Sequence, residues 1–204
     1  EPCHRKPQKP ILKALNSLSN SVIHNIRPLL PLVYQNTYRH GIRDKLHPEV
    51  LKLLKDNTLL LIAAEMKNQQ WLLKNLETFQ QENIPIILLK GAAFSGSIYP
   101  ANAPRLGVDL DILVTNDEFD SACSLLSETM DQILMSTDRI ATHETLYERV
   151  FSSRKGEGPT VEIHRGLTNP SIFNIDEKSL WAASWKHPAY NSDLVRILSP
   201  EDTL

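Results

Sequence analysis

The chain has 204 residues, with 22 lysines and arginines against 24 aspartates and glutamates, and a formal net charge of −2. Its apolar fraction of 41% is that of an ordinary globular protein with a core, built as one domain or as one domain with a helical appendage. The near-neutral charge does not indicate a nucleic-acid partner, although it leaves one possible, and no apolar run is long enough to span a bilayer.

The two cysteines do not suggest a disulfide framework. Cys3 lies in a predicted tail and Cys123 in a predicted helix, so both are expected to be free thiols. Free thiols are typical of a reducing compartment. Together with the absence of an apolar membrane segment, they predict a cytoplasmic protein with no membrane partner.

The region before residue 84 is predicted to be helical apart from its first ten residues. Residues 1–10 are basic and interrupted by prolines, which predicts a disordered leader. Between residues 11 and 83, apolar side chains recur at helical spacing. This recurrence predicts an N-terminal helical region whose leucines face a core.

Three helices are predicted within this region. The first covers residues 11–26, the second is a short helix over 28–38, and the third is a long helix that begins at Pro48. The long helix either continues or breaks near Asn57 and near residues 68–70.

At Ile84 the spacing of apolar residues changes. Residues 84–89 form a continuous apolar run, which is typical of a strand buried on both faces. The elements predicted after it are a helix over 91–99, a strand over 108–114, a helix from 116 to about 130, and strands over 146–153 and 160–163 joined by a turn at 155–159. This order predicts an α+β fold with a mixed β-sheet packed with helices.

Two aspartates stand two residues apart on the strand over 108–114. Residues i and i+2 of a strand share a face at a separation of roughly 6.5–7 Å, so Asp109 and Asp111 lie side by side. Two carboxylates at that distance repel unless a cation lies between them, and Mg²⁺ binds one or two carboxylates together with phosphate oxygens. The alternative is an amphipathic strand whose polar face is wet, although Asp is disfavoured in strands.

A third acid on a neighbouring strand would complete such a site. Glu162 offers one, because it is flanked by Val161 and Ile163, which are expected to face the core. His164 shares the face of Glu162, or it is a strand-end histidine with no chemical role. Arg105 precedes the aspartates in a loop, where it meets a triphosphate or pairs with a surface acid.

The junction between the strand over 84–89 and the next helix is a candidate phosphate site. Gly91 at this junction would let a phosphate approach the backbone near the positive end of the helix dipole, or it would only relieve crowding. Lys90 either extends to solvent or reaches a phosphate.

The last residues have the features of a helix start. Ser199 is a good N-cap residue and Pro200 a good first helical residue, with acids in the first turn. They predict a longer parent protein that continues into a further helical region.

Taken in order, these motifs resemble a bacterial family of uncharacterised nucleotidyltransferases within the DNA polymerase β superfamily. The likeness covers the chain from about Ile84 to its end, and the N-terminal helices match only in kind. The segments that carry it are 88–93, 99–100, Arg105 with 109–114, 161–164 and 198–202.

The resemblance implies a nucleotidyltransferase-like domain over residues 84–204, truncated before a C-terminal helical region. It implies an enzyme that moves a nucleoside monophosphate from an NTP to an unknown acceptor and releases pyrophosphate, with Mg²⁺ or Mn²⁺. Such a site holds two metal ions, and Asp109 and Asp111 would bind both of them. Glu162 would hold the catalytic metal ion and help to deprotonate the acceptor hydroxyl.

The resemblance also implies a set of nucleotide-binding residues. Gly91 and the backbone N–H groups of Ala92 and Ala93 would hold the β- and γ-phosphates. The side chains that complete the set are Lys90 and Arg105, which add charge to the triphosphate site, and His164. Ala92 departs from the superfamily, which often has Ser after the glycine, so only backbone donors are left there.

Three other hypotheses stay open. One is a catalytically silent module of the same fold that binds a nucleotide or a protein. Another is a toxin-like transferase that acts on RNA or protein. The last is a structural strand with wet aspartates and no ligand. The sequence selects neither the acceptor, nor the base of the NTP, nor the oligomeric state.

Overall fold

The computed structural model describes residues 9–18, 22, 25–94, 109–133, 147–154, 158–168 and 175–203. The chain divides into two compact units, the first made of residues 1–66 and 99–106 and the second of residues 67–98 and 107–204. The predicted division into a leader, a helical region and a domain from residue 84 stays a prediction.

The first unit is helical. Its described elements are α1 (Lys9–Asn16), two 3₁₀ turns (Arg27–Leu29 and Arg43–Lys45), α2 (Leu30–Arg39) and the first part of α3 (Pro48–Gln81). A small apolar core holds it together, made of Leu30, Leu46, Val50, Leu54 and Leu61. The single helix predicted over residues 11–26 was wrong, because α1 ends at Asn16 and residues 17 and 18 are not helical, although residues 22, 25 and 26 are. Residues 19–21 and 23–24 lie outside the described residues.

The long helix α3 is continuous past both points at which a break was considered. The side-chain amide of Asn57 donates a hydrogen bond to the carbonyl of Leu53, 2.8 Å away and one turn earlier. The polar side chain therefore folds back onto its own helix and does not interrupt it. Within the described residues, no helix is both long and apolar enough to cross a membrane.

The second unit is built on a seven-stranded sheet. Its elements in chain order are β1 (Ile86–Leu88), α4 (Lys90–Phe94), β2 (Asp109–Leu113), α5 (Phe119–Ser127), β3 (Met130–Ile133), β4 (Glu148–Ser153), β5 (Thr160–His164), α6 (Glu177–Ala183), β6 (Trp185–Lys186) and β7 (Val195–Ile197). The strand order is β3-β4-β5-β2-β1-β7-β6. The pairs β1–β7 and β2–β5 are parallel and the others antiparallel, which confirms the predicted mixed sheet and α+β class.

The two faces of this sheet bury different residues. One face packs against the end of α3 and against α5, in a core that includes Phe79, Phe119 and Phe151. The other face carries a smaller apolar cluster, Ile87, Leu89, Leu113 and Leu180. Alternation along β2 and β5 therefore gives each strand one apolar face and one face on which polar groups can stand.

Several predicted boundaries were wrong. The helix expected to run to about residue 130 ends at Ser127, and Met130 instead begins β3. Glu118 precedes this helix without a side-chain capping hydrogen bond. In β3 only Met130 is buried, so the strand shows no alternation that a pattern could have revealed.

Other predictions were confirmed. The strands β4 and β5 form the predicted antiparallel hairpin, although residues 155–157 of its turn lie outside the described residues. Of the helix predicted over 91–99, the described part is α4, and residues 95–100 lie outside the described residues. Ser199 Oγ accepts a hydrogen bond from the N–H of Asp202 at 3.2 Å, as an N-cap residue does, but residues 200–202 form a turn and the described residues do not contain the predicted helix.

Candidate active site

The candidate site lies where the parallel strands β2 and β5 run side by side. Their register places Asp111 opposite Glu162 and Leu113 opposite His164. Glu162 and His164, two residues apart on β5, point to the same face of the sheet as Asp111. The flanking residues Val161 and Ile163 are fully buried on the opposite face, as predicted.

A lysine neutralises the buried carboxylate of this group. The Lys90 ammonium nitrogen lies 2.5 Å from Asp111 Oδ1 and 3.8 Å from Glu162 Oε2. The Asp111 side chain is only 1% exposed, whereas that of Lys90 is 63% exposed. The two alternatives for Lys90, extension to solvent or contact with a phosphate, did not anticipate this ion pair.

The backbone at Lys90 has an unusual conformation. Its φ of +49° lies in the left-handed region, which glycine adopts more easily than a residue with a side chain. The strain is local, at the junction of β1 and α4. The N–H of the preceding Leu89 donates to the Asp111 carbonyl at 3.0 Å, which fixes this junction beside the acid.

His164 connects the acids of the site. Its Nε2 lies 3.2 Å from Asp111 Oδ1 and 3.6 Å from Glu162 Oε2, and its Nδ1 lies 3.5 Å from Glu148 Oε2. Each ring nitrogen therefore faces a carboxylate, which fixes the orientation of the imidazole. His164 is the last residue of β5 and is buried among these carboxylates.

The two paired acids respond to the site in opposite ways. Burial alone would raise the pKa of Asp111, but hydrogen bonds with His164 and Lys90 outweigh it and hold that pKa below its ordinary value. The pKa of Glu162 is raised, first by burial and then by the hydrogen bond to Asp111 and its charge. Asp111 is thus kept ionised, while Glu162 binds a proton more readily than a free carboxylate.

The pKa of the Lys90 ammonium is raised by the same contacts. Burial acts to lower it, but the hydrogen bond to Asp111 and the charges of Asp111, Glu162 and Asp109 have the larger effect. Asp109 therefore lies close enough for its charge to act on the site.

The donor atoms of this group fit a divalent cation. Ligand atoms of Asp111, Glu162 and His164 all lie within 4.8 Å of one another. Carboxylate oxygens suit Mg²⁺ and Mn²⁺, and the position between them already attracts the ammonium of Lys90. A wet polar face, the alternative considered for the aspartate strand, is wrong for Asp111 because its side chain is buried.

The other predicted site residues take different positions. Asp109 lies at the first position of β2 and outside the group of ligand atoms within 4.8 Å. Gly91, Ala92 and Ala93 form the first turn of α4, next to Lys90. Arg105 lies outside the described residues.

Two residues near the site were missed by the sequence analysis. Glu148 contacts His164 across the β4–β5 hairpin. Tyr147 precedes it, and burial followed by the charges of Glu148 and Glu162 raises the pKa of its hydroxyl. Both belong to a strand that was predicted, but their position beside the acids depends on a hairpin register that the sequence does not specify.

A cavity of about 690 Å³ opens beside Lys90 within the second unit. Its walls come mostly from apolar side chains at the ends of β1 and β7, together with α4 and β6. The side chains that line it include those of Lys90, Phe94, Trp185, Lys186 and Leu198. This volume is within the range of small-molecule sites, roughly 300–1,000 Å³. Lys90 lines the cavity and also contacts the cluster of Asp111, Glu162 and His164, which is called the acidic group below.

The chain was compared with families, curated proteins and solved structures. A family model described as an uncharacterised nucleotidyltransferase matches residues 25–204. Neither a curated protein nor a solved structure matches the chain. The matched range contains the whole of the second unit and the acidic group described above.

Proposed function

Because this chain belongs to a family of uncharacterised nucleotidyltransferases, we propose that it transfers a nucleoside monophosphate from an NTP to an acceptor in a metal-dependent reaction. The observation that carries the proposal is the pairing of Asp111 with Glu162 on adjacent parallel strands, around a position that attracts a cation.

The proposed metal ligands are Asp109, Asp111 and Glu162, with Mg²⁺ or Mn²⁺ as the ion. When bound, the ion supplies neutralising charge to the triphosphate and to the charge that develops on its oxygens during transfer. The buried position and lowered pKa of Asp111 support this assignment, because that carboxylate stays ionised over the whole physiological pH range.

Glu162 is the proposed proton acceptor. The acceptor hydroxyl oxygen would form a bond to the α-phosphorus of the NTP, and the bond from that phosphorus to the bridging oxygen of the β-phosphate would break. Pyrophosphate leaves with the electron pair, and the hydroxyl proton passes to Glu162. The position of Glu162 supports this role, because the strand register places it opposite Asp111 on the same face of the sheet.

His164 and Glu148 position these acids. His164 lies within hydrogen-bonding distance of Asp111, and its other nitrogen faces Glu148. The pair would keep the carboxylates oriented when the charge at the site changes. For the triphosphate we propose Lys90, Arg105 and the backbone of residues 91–93.

The nucleobase is assigned to the cavity beside Lys90. Its walls include the ring of Trp185, on which a base can stack, and few polar groups that could read the edge of a base. We therefore expect the enzyme to accept several NTPs with similar affinity. Cys123 is free and buried. A cytoplasmic location stays part of the proposal.

A labelling experiment tests the reaction. The protein is incubated with Mn²⁺, a cell extract and ATP labelled at either the α- or the γ-phosphate. Transfer of a nucleoside monophosphate labels the product from α-labelled ATP only, because the γ-phosphate leaves in pyrophosphate. Label in RNA or protein would support a toxin-like acceptor, and label in small molecules a metabolic one.

Matched variants distinguish the site from the rest of the sheet. Asp111→Asn and Glu162→Gln should abolish both labelling and metal-dependent ATP binding measured by calorimetry. Asp131→Asn is the control, because Asp131 is an exposed aspartate of β3 that pairs only with Arg154 in the described contacts. ATP binding without labelling would favour the silent binding module, and unchanged ATP binding in Asp111→Asn contradicts the proposed site.

A further inference from the structure

Lys90 holds the place of a cation within the acidic group. Its ammonium lies 2.5 Å from Asp111 Oδ1 and 3.8 Å from Glu162 Oε2, the same two carboxylates whose oxygens are the best candidates for a metal ion. We propose that Lys90 is the built-in counter-ion of this site, and that a divalent metal binds by exchange, with the Lys90 ammonium leaving the carboxylates. The inference rests on the metal dependence proposed above.

The metal ion and the Lys90 ammonium cannot both occupy the position beside Asp111 and Glu162, because each needs the same carboxylate oxygens and both are positively charged. A metal ion would need Asp111 Oδ1 or its partner oxygen at a distance of about 2.0–2.1 Å for Mg²⁺. An ammonium at 2.5 Å from Oδ1 is already in contact with the carboxylate on its accessible side. Two cations held by one half-buried carboxylate pair would repel each other strongly, because the interior screens charges less than water does. Only one of them can keep the full contact.

Of the two partners, Lys90 is the one that can move. Its side chain is 63% exposed and has a flexible stem, so its ammonium can return to water at little cost. Asp111 is 1% exposed and is held by His164 and by the sheet, so it stays in place. The ion pair is therefore built from a fixed acid and a movable base.

The backbone supports a specific placement of this lysine. Lys90 adopts a left-handed φ of +49°, a conformation that costs energy for a residue with a side chain. The hydrogen bond from the Leu89 N–H to the Asp111 carbonyl joins the lysine segment to the strand of its acid. A lysine that served only as a surface charge would not need this arrangement.

The exchange predicts how the metal-free protein behaves. With Lys90 present, the buried Asp111 keeps a counter-ion when no metal is bound, and the group does not carry uncompensated charge. Removal of the lysine should therefore have opposite effects on two measurements. It should lower the thermal stability of the metal-free protein, and it should tighten the binding of a metal ion.

The test is calorimetric titration of MnCl₂ alone into metal-free protein, for the natural chain and for Lys90→Met. We expect Mn²⁺ to bind about tenfold tighter to the variant, which is the order expected when binding no longer breaks an ion pair. The thermal midpoint of the metal-free variant should be lowered and then restored by Mn²⁺. If Lys90→Met does not fold without metal, Lys90→Gln keeps a hydrogen-bond donor for Asp111 and replaces it.

Lys52→Met is the matched control. The Lys52 ammonium pairs with Asp56 Oδ2 at 2.5 Å, and neither residue belongs to the acidic group or to the cavity beside Lys90. Tightening of more than threefold in the Lys90 variant alone supports the exchange. A smaller change, weaker binding, or equal tightening in the control variant overturns it.

The outcome is separable from the proposed function. If the natural chain transfers nucleotide but the Lys90 variant binds Mn²⁺ as the natural chain does, the exchange is wrong and the transferase stands. If Mn²⁺ binds tighter to the variant but no label is transferred from ATP, the exchange stands and the transferase is wrong.

Discussion

Each face of the sheet in the second unit buries a side chain that can lose a proton, and the pKa values of these two side chains are shifted in opposite directions. Cys123, on helix α5 in the core of the apolar face, is 2% exposed, and Asp111 on the other face has a side chain that is 1% exposed. Burial raises the pKa of the Cys123 thiol to about 11, whereas the pKa of Asp111 lies below its ordinary value. Equal burial therefore does not mean equal protonation.

The difference lies in the partners. Cys123 lies mainly among apolar side chains, and burial has a larger effect on its pKa than the opposing charge and hydrogen bond of Arg149, so the thiol stays neutral. Asp111 has Lys90 and His164 within hydrogen-bonding distance, which compensates its charge. A protein that keeps a charge buried at this cost needs partners arranged around it, and on this sheet they are gathered at one end of one face.

The largest expected effect concerns the apolar face. Phe151 is fully buried in the core on that face, so Phe151→Ala removes a ring and leaves a cavity. We expect the free energy of unfolding to fall by about 3–5 kcal/mol, measured by urea denaturation. Metal binding per folded molecule should be unchanged, because the ring lies opposite the acids.

Ile133→Ala is the control for that variant. Ile133 lies on β3 of the same sheet and is 38% exposed, so its truncation should cost under about 1 kcal/mol. If Phe151→Ala weakened Mn²⁺ binding in the folded protein as strongly as it weakened folding, the two faces would not be independent and the comparison would fail.

The second prediction uses the pH dependence of Cys123. In the unfolded chain the thiol ionises near pH 9, whereas in the folded protein it keeps its proton until about pH 11. Between these values the folded state binds more protons than the unfolded state, so stability falls as pH rises. The slope approaches about 1.4 kcal/mol per pH unit between the two pKa values, so the thiol should cost about 1.5 kcal/mol between pH 9 and pH 10.5 and about 2 kcal/mol between pH 8 and pH 10.5.

Cys123→Ala isolates this effect, since the variant has no thiol to ionise. Unfolding free energies of both proteins are measured at pH 8 and at pH 10.5, so that other alkaline groups, Lys90 among them, cancel in the comparison. The advantage of the natural chain over the variant should shrink by about 2 kcal/mol. An advantage that stayed constant with pH would mean that the thiol is hydrated.

The strands that carry the acids could be predicted from the sequence. An apolar residue stands on each side of Asp111 and of Glu162, and this alternation is typical of a strand with one buried face. Helix α6 was missed by the sequence analysis, although Asp176, whose side chain accepts hydrogen bonds from the N–H groups of Lys178 and Ser179, is a residue type typical of an N-cap. The strands β6 and β7 were not, because two or three residues are too few to show a period.

The site itself could be predicted only in part. The sequence identified the acids, but the register that sets Asp111 beside Glu162 depends on a parallel pairing between segments about fifty residues apart. The ion pair of Lys90 was beyond any local pattern. It depends on a left-handed backbone at a lysine, a conformation that sequence rules assign to glycine or asparagine.

The smallest expected effect concerns the cavity that adjoins the charged face. Trp185 is 54% exposed on the edge strand β6 and lines the cavity. If it stacks on the base, Trp185→Ala should weaken the binding of ATP, GTP, CTP and UTP with Mn²⁺ by similar factors, each about fivefold, or roughly 1 kcal/mol. Leu73→Ala is the control, because Leu73 is 53% exposed but lies on α3 and not among the cavity residues. Unchanged binding of all four nucleotides would place the base elsewhere. A loss confined to one nucleotide would mean that polar groups recognise the edge of its base. The cavity walls have few hydrogen-bond donors and acceptors, so this result would contradict the proposed position of the base.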